Sequence, residues 1–373
     1  MIKNVNKYLL FLVVFIVLTL HTPLLMPNKN VNDSVAKRRL ARNDNEEILE
    51  KYEQALPQEH SGLITPEHIS ESIGIGAILE ECISAVKREV GAVGSFLLLS
   101  LSLTSAVLIC SSISGEAYPI VNRSCSLIAV FSMVGSLVPL ADAVASEISR
   151  LSEFLTSLLP ILSGISVSLG RVASASAHTT AMTFALSIFG GEGARALVRI
   201  VKALFIVSAL SPFGSEGARL SSTLRGIFIW GIGILTTLLG GVMSLQTIIS
   251  RSADNAAIMA TKYAISNMLP IAGGTVSGAL STLAGGMEYY VGVVGGGAVA
   301  VIVLSLVSPI ITLIMYKLAL SLTSVLASFT GVDSFEGGVR AVSGAMDALI
   351  ALYSVTVVIY SIGIMLFLRQ GIV

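Results

Sequence analysis

Few residues in this chain could do chemistry, and most stand at the ends of long apolar runs. The most specific local group lies between Ser244 and Gly274, in SLQTIISRSADNAAIMATKYAISNMLPIAGG. Arg251 and Asp254 are three apart, so a helix would bring them together as an ion pair. Lys262 follows on the same stretch, then Asn267, Pro270 and Gly273-Gly274 interrupt it. One reading is an amphipathic loop helix at a membrane interface. The sharper reading is a segment that touches a partner or lines a translocation path. Gly274 and Gly278, and again Gly292 and Gly296, satisfy GxxxG, which suits close helix contact in lipid. Gly295-Gly296-Gly297 is either close packing or a bend, since consecutive glycines weaken a helix.

Enzyme chemistry finds little support. The four histidines are His21, His60, His68 and His178, and none stands at a metal-ligand spacing from Cys, Asp or Glu. HExxH, GxSxG and GxxxxGK[ST] are absent, so neither a zincin, a serine hydrolase nor a P-loop is expected. His178 falls in an apolar run, where a packing histidine is the plainer reading and an intramembrane polar role the alternative. Cys82, Cys110 and Cys125 are odd in number and form no CxxC, so they read as packing residues. We expect no catalytic residues, no metal and no cofactor.

The elements that must carry these residues are apolar helices. Of 373 residues, 54% are hydrophobic and only 12% charged, about half the charged share of a soluble domain (roughly 25%). Ser124–Ala141, Val172–Gly191, Gly226–Ser250, Tyr289–Tyr316 and Ala348–Leu368 contain no Asp, Glu, Lys or Arg. About 20 apolar residues at ~1.5 Å rise cross a hydrocarbon layer of ~30 Å. The expected fold is therefore all-α, a polytopic integral membrane helical bundle of about eight spans. Further candidate spans are Val93–Ile113 and Ala194–Gly214, with Phe154–Gly170, Tyr263–Met287 and Leu318–Val332 borderline. Trp230 opens the cleanest span, as an interface anchor would. The 34 glycines suit close helix packing in lipid. Net charge is zero, and no nucleic-acid role is suggested.

Three regions follow. Residues 1–27 carry Lys3 and Lys7 before an apolar run, as a signal peptide or an uncleaved signal-anchor would. Residues 28–92 are the densest in charge and read as a partly helical polar segment outside the cytoplasm. Thr65-Pro66 can open an amphipathic helix there, carrying Ile69, Ile73, Leu79, Ile83, Val86 and Val90 along one face. Residues 93–373 form the polytopic membrane domain, with Asp142–Glu153 and Asp333–Asp347 expected as acidic loops outside.

The order and texture of the second half carry a family likeness. A clean span, GIFIWGIGILTTLLGGVMSLQ, is followed by AIMATKYAISNMLPIAGG, a Gly-rich strong span and a final span. In this the chain resembles the stage III sporulation protein AE family, from about Glu67 onward and best from Leu204. The resemblance implies an integral, non-enzymatic subunit of a channel-like or secretion-like complex joining mother cell and forespore in endospore-forming bacteria. It implies partners: an ATPase, small membrane proteins and ring-forming proteins, besides the lipid bilayer. It implies a multi-pass place in the mother-cell membrane and a need for the protein in forespore development. No catalytic residue is carried over. A stand-alone secondary transporter or permease is the alternative; it would need coupling charges in broken helices and an internal repeat, and no repeat is evident.

Overall fold

The computed structural model describes residues 75–113, 118–168, 170–268 and 273–368. All the secondary structure among them is helical. In chain order it comprises α1 (Ile75–Ile113), α2 (Tyr118–Ser168), α3 (Val172–Phe189), α4 (Gly191–Ala209), a 3-10 turn (Ser211–Phe213), α5 (Ser215–Met268), α6 (Gly273–Phe329) and α7 (Asp333–Leu368). Residues 1–27 and most of 28–92 lie outside the described residues. From Ile75, α1 runs through the expected boundary at residue 92 without a break.

Among the described residues, six helical stretches are long and apolar enough to cross a membrane, one of them containing α3 and α4 together. The sequence count of about eight is larger partly because it separates what the structure joins. Asp142–Glu153 is not a loop: it continues α2, which also absorbs Phe154–Ser168. Ion pairing makes this continuity affordable, because Arg150 donates to Glu147 at 3.1 Å and Lys202 of α4 pairs with Asp142. Asp333–Asp347 is likewise no loop but the start of α7. Its early acids, Asp333 and Glu336, favour a helix N-terminus through the helix dipole.

Two turns have a common chemistry. At Gly170 (φ 76°) and Gly331 (φ 74°) the backbone enters the left-handed region, where glycine has no Cβ penalty. Arg171 N–H then donates to Ser166 O, and Val332 N–H to Ala327 O. These six-to-one bonds close α2 and α6 in the Schellman manner and satisfy carbonyls left open by the helix end.

The core gathers around α7, which packs against α2, α3, α4, α5 and α6. Ala345, Met346, Ala348, Leu349, Ile350, Leu352 and Tyr353 are all buried, covering every side of this part of the helix; a helix apolar all round belongs inside a bundle. Register follows from single contacts. Gly338 lies so close to Val130 of α2 that a Cβ would sit 2.6 Å from its Cγ2, and Tyr360 lies beside Ser152. The two helices therefore run parallel. Gly344 lies under Arg225 of α5, and Gly363 against Met182 of α3 and Met243 of α5. Hence α5 is also parallel to α7. Lys317 meets Asp347 and Ser305 meets Tyr353, so α6 runs the other way. On α6 in turn sits α1, through Ser100–Thr323 at 2.8 Å and the rings of Phe96 and Tyr316 at 5.3 Å.

Candidate functional site

α5 has two faces, and they explain what its charges do. Ile227, Trp230, Ile234, Leu238, Val242, Leu245 and Ile249 recur every three or four residues, and all are exposed. The row is about 33 Å long at ~1.5 Å per residue, close to the hydrocarbon thickness. Phe228, Ile232, Leu239, Met243, Ser250 and Asp254 are buried on the other face. The exposed row suits lipid, and Arg225 and Asp254 stand just beyond its two ends.

Asp254 meets α3. Its Oδ1 accepts from Ala173 N–H at 2.9 Å and its Oδ2 from Ser174 N–H at 2.8 Å. These are the second and third residues of α3, whose N-cap position is Arg171, a side chain with no acceptor. The capping carboxylate is thus supplied from 80 residues away in sequence. Two orphan donors and the positive end of the helix dipole are satisfied at once. The expected pairing of Asp254 with Arg251, and the side chains of Lys262, Asn267, Pro270, Gly273 and Gly274, lie outside the described residues. So do the surroundings of Gly278, Gly292 and Gly296, although α6 itself continues through Gly295-Gly296-Gly297 without interruption.

At the other end of the row lies a charge cluster that sequence spacing did not single out. Asp347 of α7 pairs with Lys317 of α6, and its second oxygen lies 3.6 Å from Arg225 Nη1 of α5. Lys317 and Asp347 keep only 9% and 10% of their side-chain surface. Gly344, one turn before Asp347, leaves room for the guanidinium. One carboxylate so joins three helices. A charge facing lipid at a span's centre costs about 2.5–3.5 kcal/mol, and mutual pairing inside the bundle avoids that cost. The sequence held one signal for this cluster: Lys317 and Asp347 each stand beside a long uncharged stretch, on helices brought together by the short turn at Gly331.

A third polar feature is a groove of about 490 Å3 between α2 and α4. The Lys202–Asp142 pair bridges it. Elsewhere, His178 is buried in α3, and Cys82, Cys110 and Cys125 are free thiols, with Cys110 beside Cys125 across the α1–α2 turn. Among the described residues, no three His, Cys, Asp or Glu side chains are placed to hold a metal ion.

Long apolar helices, a lipid-length exposed row and charges tied to one another inside the bundle define an integral membrane protein built of helices. The chain belongs to the stage III sporulation protein AE family, whose model matches residues 67–371, the greater part of the chain. No curated protein and no solved structure matches it.

Proposed function

We propose that this chain is a non-enzymatic membrane subunit of a sporulation-specific, channel-like or secretion-like complex between mother cell and forespore. Its partners are an ATPase, small membrane proteins and ring-forming proteins, and its place is the mother-cell membrane. The family match over residues 67–371 carries the reading. Two structural features support it. The polar groups Asp254 and Asp347 tie helices together, which suits a scaffold. Helices of 51, 54 and 57 residues are also longer than a bilayer is thick, leaving length with which to meet partners outside it. Deletion in an endospore former is the test. It should block forespore development after engulfment, and the tagged protein should co-purify with the ATPase and ring proteins. A strain that sporulates normally without the protein, together with a tagged chain that purifies alone, would refute the assignment.

A second reading is a stand-alone transporter. Lys317, Asp347 and Arg225 favour it, since ionisable groups buried among spanning helices often serve coupling. Ion-driven solute uptake by liposomes holding only this chain would establish that reading, and silent liposomes would remove it.

A further inference from the structure

The groove between α2 and α4 has a charge content and a depth that do not suit lipid. From α2 it receives Asp142, Arg150 and Glu153, with the hydroxyls of Ser146 and Ser149 between them; α4 contributes Arg195, Arg199 and Lys202. On α2 these positions recur at three- to four-residue spacing, so one face of the helix is polar for about 16 Å. Glu147 and Glu192 complete the set, the first bound to Arg150 and the second to Arg195, with Arg199 3.8 Å away. The lining itself has two acids and four bases, and these two neighbouring glutamates bring the cluster to four acids and four bases.

Its depth follows from the register. Ser152, near the inner end, touches Gly190 where α4 begins and lies beside Tyr360 of α7. Tyr360 is one turn from Gly363, which packs on Met243. Asp142, at the other end, is ten residues earlier on a helix parallel to α7. That places it level with Ile350, about one turn inside Asp347. The groove therefore runs from about the level of Gly231, roughly six residues inside Arg225, to near that of Met243. Over the same interval α5 shows part of its exposed apolar row, from Ile234 to Val242. On the near side of that row the exposed charges Glu216 and Arg219 give a watery boundary. Unlike the enclosed Lys317–Asp347 pair, these charges are largely exposed, and exposed charges level with a lipid-facing row need water beside them.

We propose that this groove is a water-filled recess, entering the membrane from the side of the α5 N-terminus and reaching about half its depth. It admits small hydrophilic solutes and, having balanced charges, excludes neither sign. The inference rests on the chain spanning a membrane and stands whether or not it works in a channel complex.

Thiol accessibility in the full chain tests it. In a background with Cys82, Cys110 and Cys125 replaced by Ser, single variants Ser146→Cys, Ser149→Cys and Leu238→Cys are placed in sealed membrane vesicles. They are treated with anionic and cationic membrane-impermeant methanethiosulfonates. Ser146→Cys and Ser149→Cys should react from one side only, with Leu238→Cys inert until detergent is added. The anionic-to-cationic rate ratio should stay within about threefold of that for a free thiol. Inert groove positions would mean that protein or lipid covers the groove, overturning the recess. A reactive Leu238→Cys would take the α5 row out of lipid and overturn the depth. A preference above about tenfold for one sign would overturn the charge balance.

Discussion

At the residue scale, the two buried carboxylates set the sharpest expectations. Asp347→Asn leaves Lys317 buried without its counter-charge, which costs roughly 3–5 kcal/mol when a buried pair is broken from one side. Thermal unfolding in detergent should show that loss. Replacing both partners, Lys317→Met with Asp347→Leu, should recover most of it, because a well-packed apolar pair can match a buried ion pair. Asp254→Ala removes two charge-assisted hydrogen bonds, each worth roughly 1.5–3 kcal/mol. Amide exchange should rise at Ala173 and Ser174, while Asp254→Asn, still an acceptor, keeps part of the protection. Neither partner set was readable in the sequence. Asp254 suggested its helical neighbour Arg251, because i,i+3 spacing is local and visible. The donors that the structure describes are backbone N–H groups of another helix, which carry no sequence signature.

At the element scale, the positions of the apolar runs were legible and only some of their ends were. Uncharged stretches such as Gly226–Ser250 and Ala348–Leu368 do fall inside helices. The error was to let each group of charges end a helix. In α2, Asp142 and Arg150 find partners on α4 or one turn away, so the backbone has no reason to break there. Pro139 and Pro160 also lie inside α2 without ending it. The glycines that do stop helices, Gly170 and Gly331, stand beside Arg171 and Asp333, and there the candidate spans Phe154–Gly170 and Leu318–Val332 end where the helices do. The α1–α2 turn offers a direct check. Cys110 and Cys125 lie side by side, so a mild oxidant such as copper phenanthroline should protect both from maleimide in detergent and leave Cys82 reactive. Labelling of all three after oxidation would place the two helices in another register.

At the scale of the whole molecule, composition alone was enough to place the chain in a bilayer, because a protein with 12% charged residues cannot coat itself for water. The family likeness from about Glu67 agrees with the match to residues 67–371. What stayed hidden was the length of the helices relative to the bilayer. The 51 residues of α2 extend about 76 Å, and at 40° of tilt still rise about 58 Å along the membrane normal. A bilayer with headgroups is about 40–45 Å thick, so α2 must reach past at least one face. Limited proteolysis of right-side-out and inverted vesicles should cut within α2 outside the lipid from one side, whereas complete protection from both would contradict the helix length.

α7 is both the helix that most others lean on and the one that leaves the ribosome after all of them. Until it arrives, α2, α5 and α6 hold apolar faces and single charges with nothing to meet. Biogenesis must then hold half-made intermediates, and chains stopped before Asp333 should be cleared by membrane-bound proteases within minutes of synthesis, as pulse-chase labelling would reveal.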